Sequence, residues 1–352
     1  MFEYLFLFII SILLGFLVLQ IVIKLFYKLK ILDNPKKYGK IRDPVPYSTG
    51  IVFFITFFIL SFIFVEHNYK LYLIWFFGFI ITIISFIDDM VNLSPKIRLF
   101  IQIIIGITIG ATAIKIGYIS NIFGGIIDLD NYFIEIFFFK IYIISMIFTV
   151  IWYVFIFNAV NWTDGIPGNT SGLSIINFLV LFLLGIILFN RDFGNILLMQ
   201  NSEFIKTLSV IMIGILIPFW FFDVREKILM GDSGTMFLAF MLASLAIISG
   251  GKIATVLIAF GIYTVDAFYV ILKRILNKKN PLKGDLTHLH HRLLSLGFSK
   301  NKTLIFVYSF SLLFGLIGLF LDKLGKIILF IFIIFFVIFI TRVINKFYNY
   351  EK

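Results

Sequence analysis

Long uninterrupted apolar runs constrain this chain more than any other feature. A lipid hydrocarbon core about 30 Å thick is crossed by a helix of roughly 20 apolar residues. Eleven segments approach that length: 2–26, 49–66, 71–87, 99–116, 141–160, 172–190, 204–222, 234–250, 252–272, 303–321 and 326–344. A water-soluble fold cannot hide them, because charged residues make up only 14% of the chain against about 25% in soluble proteins. Forty-seven Phe likewise exceed what one core could cover with polar surface. The pattern predicts an all-α integral membrane protein, a polytopic bundle of about eleven transmembrane helices forming one domain over 1–352. The number falls to ten if the turn at 250–252 is misplaced. The first segment begins Met1-Phe2-Glu3 with no basic start and contains no A-x-A site, so it is expected to be a retained helix rather than a signal peptide.

Basic residues predict the orientation. The stretch 24–42 holds seven Lys or Arg, the segment 273–302 holds eight, and Lys96, Arg98, Arg225, Lys227 and the tail beyond 341 fall on the same side. Twenty-two of the 30 basic residues thus share one face, which is expected to be cytoplasmic, with the N-terminus outside and the C-terminus inside. The formal net charge of +11 is therefore explained by orientation and by attraction to anionic lipid or substrate, and nucleic acid is not an expected partner. With no Cys in the chain, disulfides, thiol catalysis and Cys-ligated zinc are excluded. Between 117 and 140, Gly124-Gly125 and Asp128-Leu129-Asp130-Asn131 separate alternating apolar runs, which predicts a small hairpin on the outer face.

Four polar clusters fall on the basic side. Asp88 and Asp89 adjoin at a helix end, where two like charges need a cation or a proton to offset them. Asn158, Asn161 and Asp164 recur every third residue, so a helix end would place them on one face, suited to hydrogen-bonding a base or a sugar. Met230-Gly231-Asp232-Ser233-Gly234-Thr235 opens a helix, where free N–H groups favour an anion, although Asp232 taken alone reads more readily as a cap. His288, His290 and His291 stand beside Arg292 in a spacing foreign to structural zinc sites, and suited to a diphosphate. Carboxylates for Mg²⁺, an Arg/His group for phosphates and an amide row for a nucleotide together describe phosphoryl transfer at a membrane.

These motifs, in this order, resemble the polyprenyl-phosphate N-acetylhexosamine-1-phosphate transferases: Asp88-Asp89-x-x-Asn92, Asn158-x-x-Asn161-x-x-Asp164-Gly165, Met230-Gly231-Asp232-Ser233-Gly234 and His288-Leu289-His290-His291-Arg292. The resemblance spans essentially the whole chain. It implies an Mg²⁺-dependent enzyme (Mn²⁺ as the substitute) of the cell membrane with its site on the cytoplasmic face. Such an enzyme takes a UDP-N-acetylhexosamine and a polyprenyl phosphate, releases UMP, and begins a lipid-linked envelope glycan; a homodimer is compatible with it. The His-Leu-His-His-Arg form is similar to the undecaprenyl-phosphate N-acetylglucosaminyl 1-phosphate transferase branch. The phospho-N-acetylmuramoyl-pentapeptide transferases, usually with three consecutive His there, are the alternative.

The resemblance also implies roles. Asp88 would take or position the proton of the lipid phosphate, Asp89 and Asp232 would serve the metal, and His288, His290, His291 and Arg292 would hold the diphosphate. Asn158, Asn161 and Asp164 would orient the uridine or the metal shell, and Lys40 stands where a functional lysine is expected. Direct displacement and a two-step covalent route both satisfy these roles. The chain departs from the pattern at Pro167, where a second Asp is common, and at Leu229, where an aromatic is common. It departs again at Pro44-Val45-Pro46-Tyr47-Ser48-Thr49-Gly50, which lacks the usual Arg and one Gly. An intramembrane prenyltransferase would require a second Asp-rich motif. A transporter would place its ionisable residues near mid-membrane, where Asp266 is the one candidate and is expected to pair within the bundle.

Overall fold

A computed structural model describes residues 2–38, 41–121, 124–136, 139–250, 253–278 and 288–350. Helices dominate because in a bilayer only internal pairing satisfies the backbone. They run in the order α1 (Phe2–Leu29), α2 (Ile51–Phe64), α3 (Tyr69–Val91), α4 (Pro95–Gly110), α5 (Ile143–Trp162), α6 (Asn169–Arg191), α7 (Ile196–Asp223) and α8 (Gly231–Ile248). There follow α9 (Ile253–Ala259), α10 (Gly261–Leu276), a short α11 (Leu289–Ser295), α12 (Lys300–Phe320) and α13 (Lys323–Tyr350).

Among the described residues eight helices are long and apolar enough to cross a membrane, or nine if α9 and α10, bent by 82°, form one broken span. The sequence reading of eleven segments has a helix at each position, but α2, with 14 residues, and α4, with 16, fall short of that length. The expected hairpin is two hairpins. The first pairs β1 (Tyr118–Ser120) with β2 (Ile126–Asp128), and the second pairs β3 (Phe133–Ile136) with β4 (Phe139–Tyr142), both antiparallel.

Helix α8 is the axis of the bundle. It is apolar all round, rich in small residues, and buried along almost its whole length, as expected of a helix without a polar face. α3 and α5 pack on it, α6 lies along α7, and α7 along α1. A second, smaller cluster joins Ile262 and Val265 of α10 to Leu289 and Leu293 of α11 and to Ile333 and Val337 of α13. At the α9–α10 bend the Ala259 carbonyl accepts a hydrogen bond from the Ser311 hydroxyl at 2.6 Å, which satisfies a backbone group at the break. Because the helices alternate in direction, the C-terminal ends of α3 and α5, the N-terminus of α8 and the start of α11 gather at one end of the bundle.

Candidate active site

The N-terminus of α8 organises one half of the site. Its first amides need an acceptor, and Asp89 supplies one from the end of α3. Asp89 Oδ1 accepts from the Asp232 N–H at 2.8 Å, and Oδ2 accepts from the Ser233 N–H at 3.0 Å and from the Ser48 hydroxyl at 2.5 Å. The carboxylate thus caps a neighbouring helix, and both of its oxygens are engaged. Gly231 takes a positive φ of 73°, and a Cβ there would stand 2.7 Å from Asp89 Oδ2, so glycine is required for this approach.

The loop before α2 closes over the same point. A Cβ on Gly50 would lie 2.0 Å from the Gly234 nitrogen, so backbone meets backbone. Thr49, at the position of the missing glycine, is buried with its hydroxyl donating to the Leu229 carbonyl at 2.7 Å, which explains why a side chain is accommodated there. Tyr47, in place of the Arg expected from the resemblance, lies beside the acids. Burial, then the charges of Asp89 and Asp232, hold its phenol far above the ordinary range, so it stays protonated.

Asp88 is turned away from Asp89. Its Oδ1 accepts from the Leu93 N–H at 2.8 Å and its Oδ2 pairs with Arg98 Nε at 2.7 Å. Arg98 also reaches Asp232 Oδ2 through Nη1 at 2.7 Å, so one guanidinium spans two carboxylates. Asn161 donates to Asp232 Oδ1 at 2.7 Å and to the Thr235 hydroxyl at 3.1 Å. Asn158 points instead towards α4, donating to Gln102 Oε1 at 2.7 Å. Asp164 accepts from Thr170 at 3.3 Å. Burial, then the like charges of Asp223, Asp232 and Asp89, push its carboxyl well above the ordinary range.

The second half is built around Asp266 of α10, which is fully buried. Its Oδ2 accepts from the Leu289 N–H at 2.9 Å and faces His288 Nδ1 at 3.0 Å, while Oδ1 pairs with Arg292. Arg292 also donates to the Thr341 hydroxyl at 2.6 Å. His288 stacks on Trp162 with ring centres 5.9 Å apart and on His290 at 6.1 Å, joining this half to the end of α5. His290 and His291 lie against Gly165, where a Cβ would stand 2.2 Å from His290 Nε2. His290 is fully buried and neither ring nitrogen has a hydrogen-bond partner among the described residues. Burial, then His291, His288 and Arg292, hold its pKa well below the ordinary value, so it is neutral.

The structure therefore brings Asp88, Asp89, Asn161 and Asp232 together, and His288, His290, His291 and Arg292 together, with Gly165 and Trp162 joining the groups. Lys40 lies outside the described residues. Arg98, Ser48 and Trp162 were not singled out from the sequence. For Arg98 the signal was present: an opposite charge in the first turn of the helix that follows the acid pair. Asp89 and Asp232, the residues expected to serve the metal, offer only oxygen donors, which suit a hard divalent cation such as Mg²⁺. Among the described residues no three carboxylates or imidazoles converge as a ready metal cluster, and Arg98 occupies the space between Asp88 and Asp232.

Comparison with known proteins is consistent with this geometry. The model of glycosyl transferase family 4 matches residues 71–250, which contain the Asp88, Asn158 and Asp232 motifs. A probable undecaprenyl-phosphate N-acetylglucosaminyl 1-phosphate transferase of Bacillus subtilis is 28% identical over 350 residues, covering 96% of this chain and 90% of that protein. An undecaprenyl-phosphate alpha-N-acetylglucosaminyl 1-phosphate transferase of Thermotoga maritima is 28% identical over 83% of this chain and 82% of its own. A phospho-N-acetylmuramoyl-pentapeptide-transferase of Staphylococcus epidermidis is 28% identical over 82% of this chain and 88% of its own.

Proposed function

The chain belongs to glycosyl transferase family 4, and on that premise we propose that it transfers N-acetylglucosamine 1-phosphate from UDP-N-acetylglucosamine to a polyprenyl phosphate such as undecaprenyl phosphate. An oxygen of the acceptor phosphate attacks the sugar-bearing phosphorus, the diphosphate P–O–P bond breaks, and UMP leaves. The observation that carries this reading is the convergence of segments far apart in sequence: Asp89 of α3 caps α8, Asn161 of α5 holds Asp232, and Gly165 seats His290 and His291.

In this account Asp88 accepts or positions the acceptor's proton and Arg98 offers the neighbouring positive charge. His288, His291 and Arg292 face the donor diphosphate, with Asp266 fixing the imidazole and guanidinium planes. His290 fills the space beside Gly165, Asn158, Asn161 and Asp164 serve the nucleotide, and Lys40 is assigned to the substrate from the sequence alone. Asp232 and Asp89 would hold Mg²⁺ (or Mn²⁺), which when bound would supply positive charge against that developing on the diphosphate. The lengths of the apolar runs support eleven spans in one domain, and the positive-inside distribution supports the N-terminus outside with the C-terminus and active site on the cytoplasmic face of the cell membrane. The pentapeptide-bearing donor is the competing substrate, because relatives named for it align at the same identity over less of the chain. A membrane assay with radiolabelled UDP-sugars, scoring UMP and lipid-linked product, tests the proposal; no UMP from any of them refutes it.

A further inference from the structure

We propose that a cavity at the end of the bundle opposite the active site binds a phospholipid with a zwitterionic headgroup, its ammonium at Glu3 and Glu66 and its phosphate at Lys70. Such binding is independent of the transferase reading. Helix α2 has 14 residues against 23 in α3, so at 1.5 Å per residue it stops roughly 13 Å short of its neighbour. Deeper in the bundle α1 and α7 are drawn together. A Cβ on Gly214 would lie 2.4 Å from Ser11 Cβ, and one on Gly15 would lie 3.1 Å from Ile215 Cα. Beyond the end of α2 the first turns of α1, α3 and α7 surround an open space instead.

That space is a cavity of about 930 Å³, large enough for a headgroup and the start of its chains. Its inner wall is carbon, from the buried Leu7, Val65 and Phe204. Phe6 of α1 and Phe64 of α2 line it as well. Their rings stand 6.4 Å apart and both are exposed, so the cavity opens on the lipid-facing surface between these two helices. An occupant entering there arrives from the bilayer and brings hydrocarbon with it.

Charge complementarity commits the headgroup. The charged side chains lining the cavity are Glu3, Glu66, Glu203 and Lys70. Glu203 is already neutralised within the protein, because it accepts from the Tyr4 hydroxyl and pairs with Lys206 at 2.6 Å. Lys206 is itself buried, with its ammonium 4.0 Å from the centre of the Phe189 ring and 5.2 Å from that of Tyr4. Lys70 donates to a neutral acceptor, Asn201 Oδ1, at 2.5 Å. Two acids and one lysine thus face a single apolar cavity, which matches a ligand carrying an ammonium and a phosphate a few atoms apart. A purely anionic headgroup would meet two carboxylates there, and a simple organic cation would meet Lys70. The rings of Phe2 and Tyr69, also in the lining, add faces that attract an ammonium.

The test compares headgroups on the delipidated full chain by native mass spectrometry. Phosphatidylethanolamine should bind at least about tenfold tighter than phosphatidylglycerol, the scale of one charged contact. The double variant Glu3→Gln with Glu66→Gln should cut that preference below about threefold, and Lys70→Met should weaken phosphatidylethanolamine about tenfold. Glu135→Gln, at an exposed hairpin acid, is the control and should leave the preference unchanged. Equal affinity of the wild-type chain for the two lipids, or a preference that survives in the double variant, overturns the proposal.

A measurement on the wild-type chain alone guards against misfolded variants. Phosphatidylethanolamine with a diazirine near the head of one acyl chain should label peptides from the starts of α1, α3 and α7. Excess phosphatidylethanolamine should displace that label, and free phosphoethanolamine at the same concentration should not. Labelling elsewhere overturns the site, and displacement by free phosphoethanolamine overturns the lipid as its occupant.

Discussion

The two halves of the site are built with opposite charge logic. Around Asp88, Asp89 and Asp232 the excess charge is negative, and one cation, Arg98, bridges two of the three. Around His288, His290, His291 and Arg292 the groups are neutral or positive, and one acid, Asp266, holds two of them, His288 and Arg292, together with the Leu289 amide. Each half thus depends on a single residue of the minority charge contributed by another helix. The acid half lies at helix ends, where backbone amides share the work of stabilising a carboxylate. The His half depends on a carboxylate in the middle of a broken span, where only side chains and one amide can compensate it. The first half should tolerate loss of charge structurally except at Asp89, whereas the second should not tolerate loss of Asp266.

The largest effects should separate residues within the acid half. Asp88→Asn and Asp232→Asn are expected to lower kcat by about a hundredfold or more, as for loss of an acid–base or charge-stabilising group, with thermal stability near wild type. Asp89→Asn should lose both, because it weakens hydrogen bonds from two amides to a charged acceptor, each contributing roughly 1.5–3 kcal/mol. Turnover and melting temperature measured on the same preparations decide this. A stable Asp89→Asn protein would remove the capping role.

Next comes Asp266→Asn, which leaves the half-buried Arg292 without its countercharge. Breaking such a pair costs about 3–5 kcal/mol, so denaturant unfolding should show the loss and the KM for the UDP-sugar should rise. If Asp266→Asn behaves like a surface substitution, the asymmetry drawn between the halves disappears.

His290→Ala and Arg292→Ala should each reduce kcat/KM for the UDP-sugar by at least about tenfold, the scale of one charged or buried contact. Wild-type kinetics in both variants would leave the His segment without a role in donor use.

The smallest effect is a pH dependence. His290 is neutral in the folded protein, beside His288, His291, Arg292 and Tyr263. The unfolded chain takes up a proton at this residue below a pKa of about 6.5 and the folded chain does not. This residue therefore withdraws stability as the pH falls below that value. His290→Phe should show a smaller drop in melting temperature between pH 7.5 and 5.5 than wild type. An equal drop would assign the acid sensitivity to other groups.

Much of this was legible in the sequence because it is local. Apolar run length predicted the helices, and the spacing of Asn158, Asn161 and Asp164 predicted a helix end. What escaped was set by tertiary packing. That Asn158 turns to Gln102 while Asn161 turns to Asp232 depends on which helix stands on either side of α5. Arg98 was visible as a topological charge, but its span between Asp88 and Asp232 exists only once α3, α4 and α8 meet. The bend between α9 and α10 has no Pro to announce it, and the side-chain bond at the break comes from Ser311 of α12. The count of spans was obscured for the same reason: α2 ends after 14 residues, and α4 runs for 16 residues with Lys96 and Arg98 in its first turn.

The central claim is that this end of the bundle transfers a sugar 1-phosphate from a UDP-sugar to a prenyl phosphate. Purified protein should be offered UDP-N-acetylglucosamine, its galacto epimer and UDP-N-acetylmuramoyl-pentapeptide in parallel, with undecaprenyl phosphate and Mg²⁺, and UMP release should be followed for each. The account predicts UMP release with UDP-N-acetylglucosamine as the best donor, abolished in Asp88→Asn. Preference for the pentapeptide donor would contradict the choice of substrate, and UMP release that survives in Asp88→Asn would contradict the site itself.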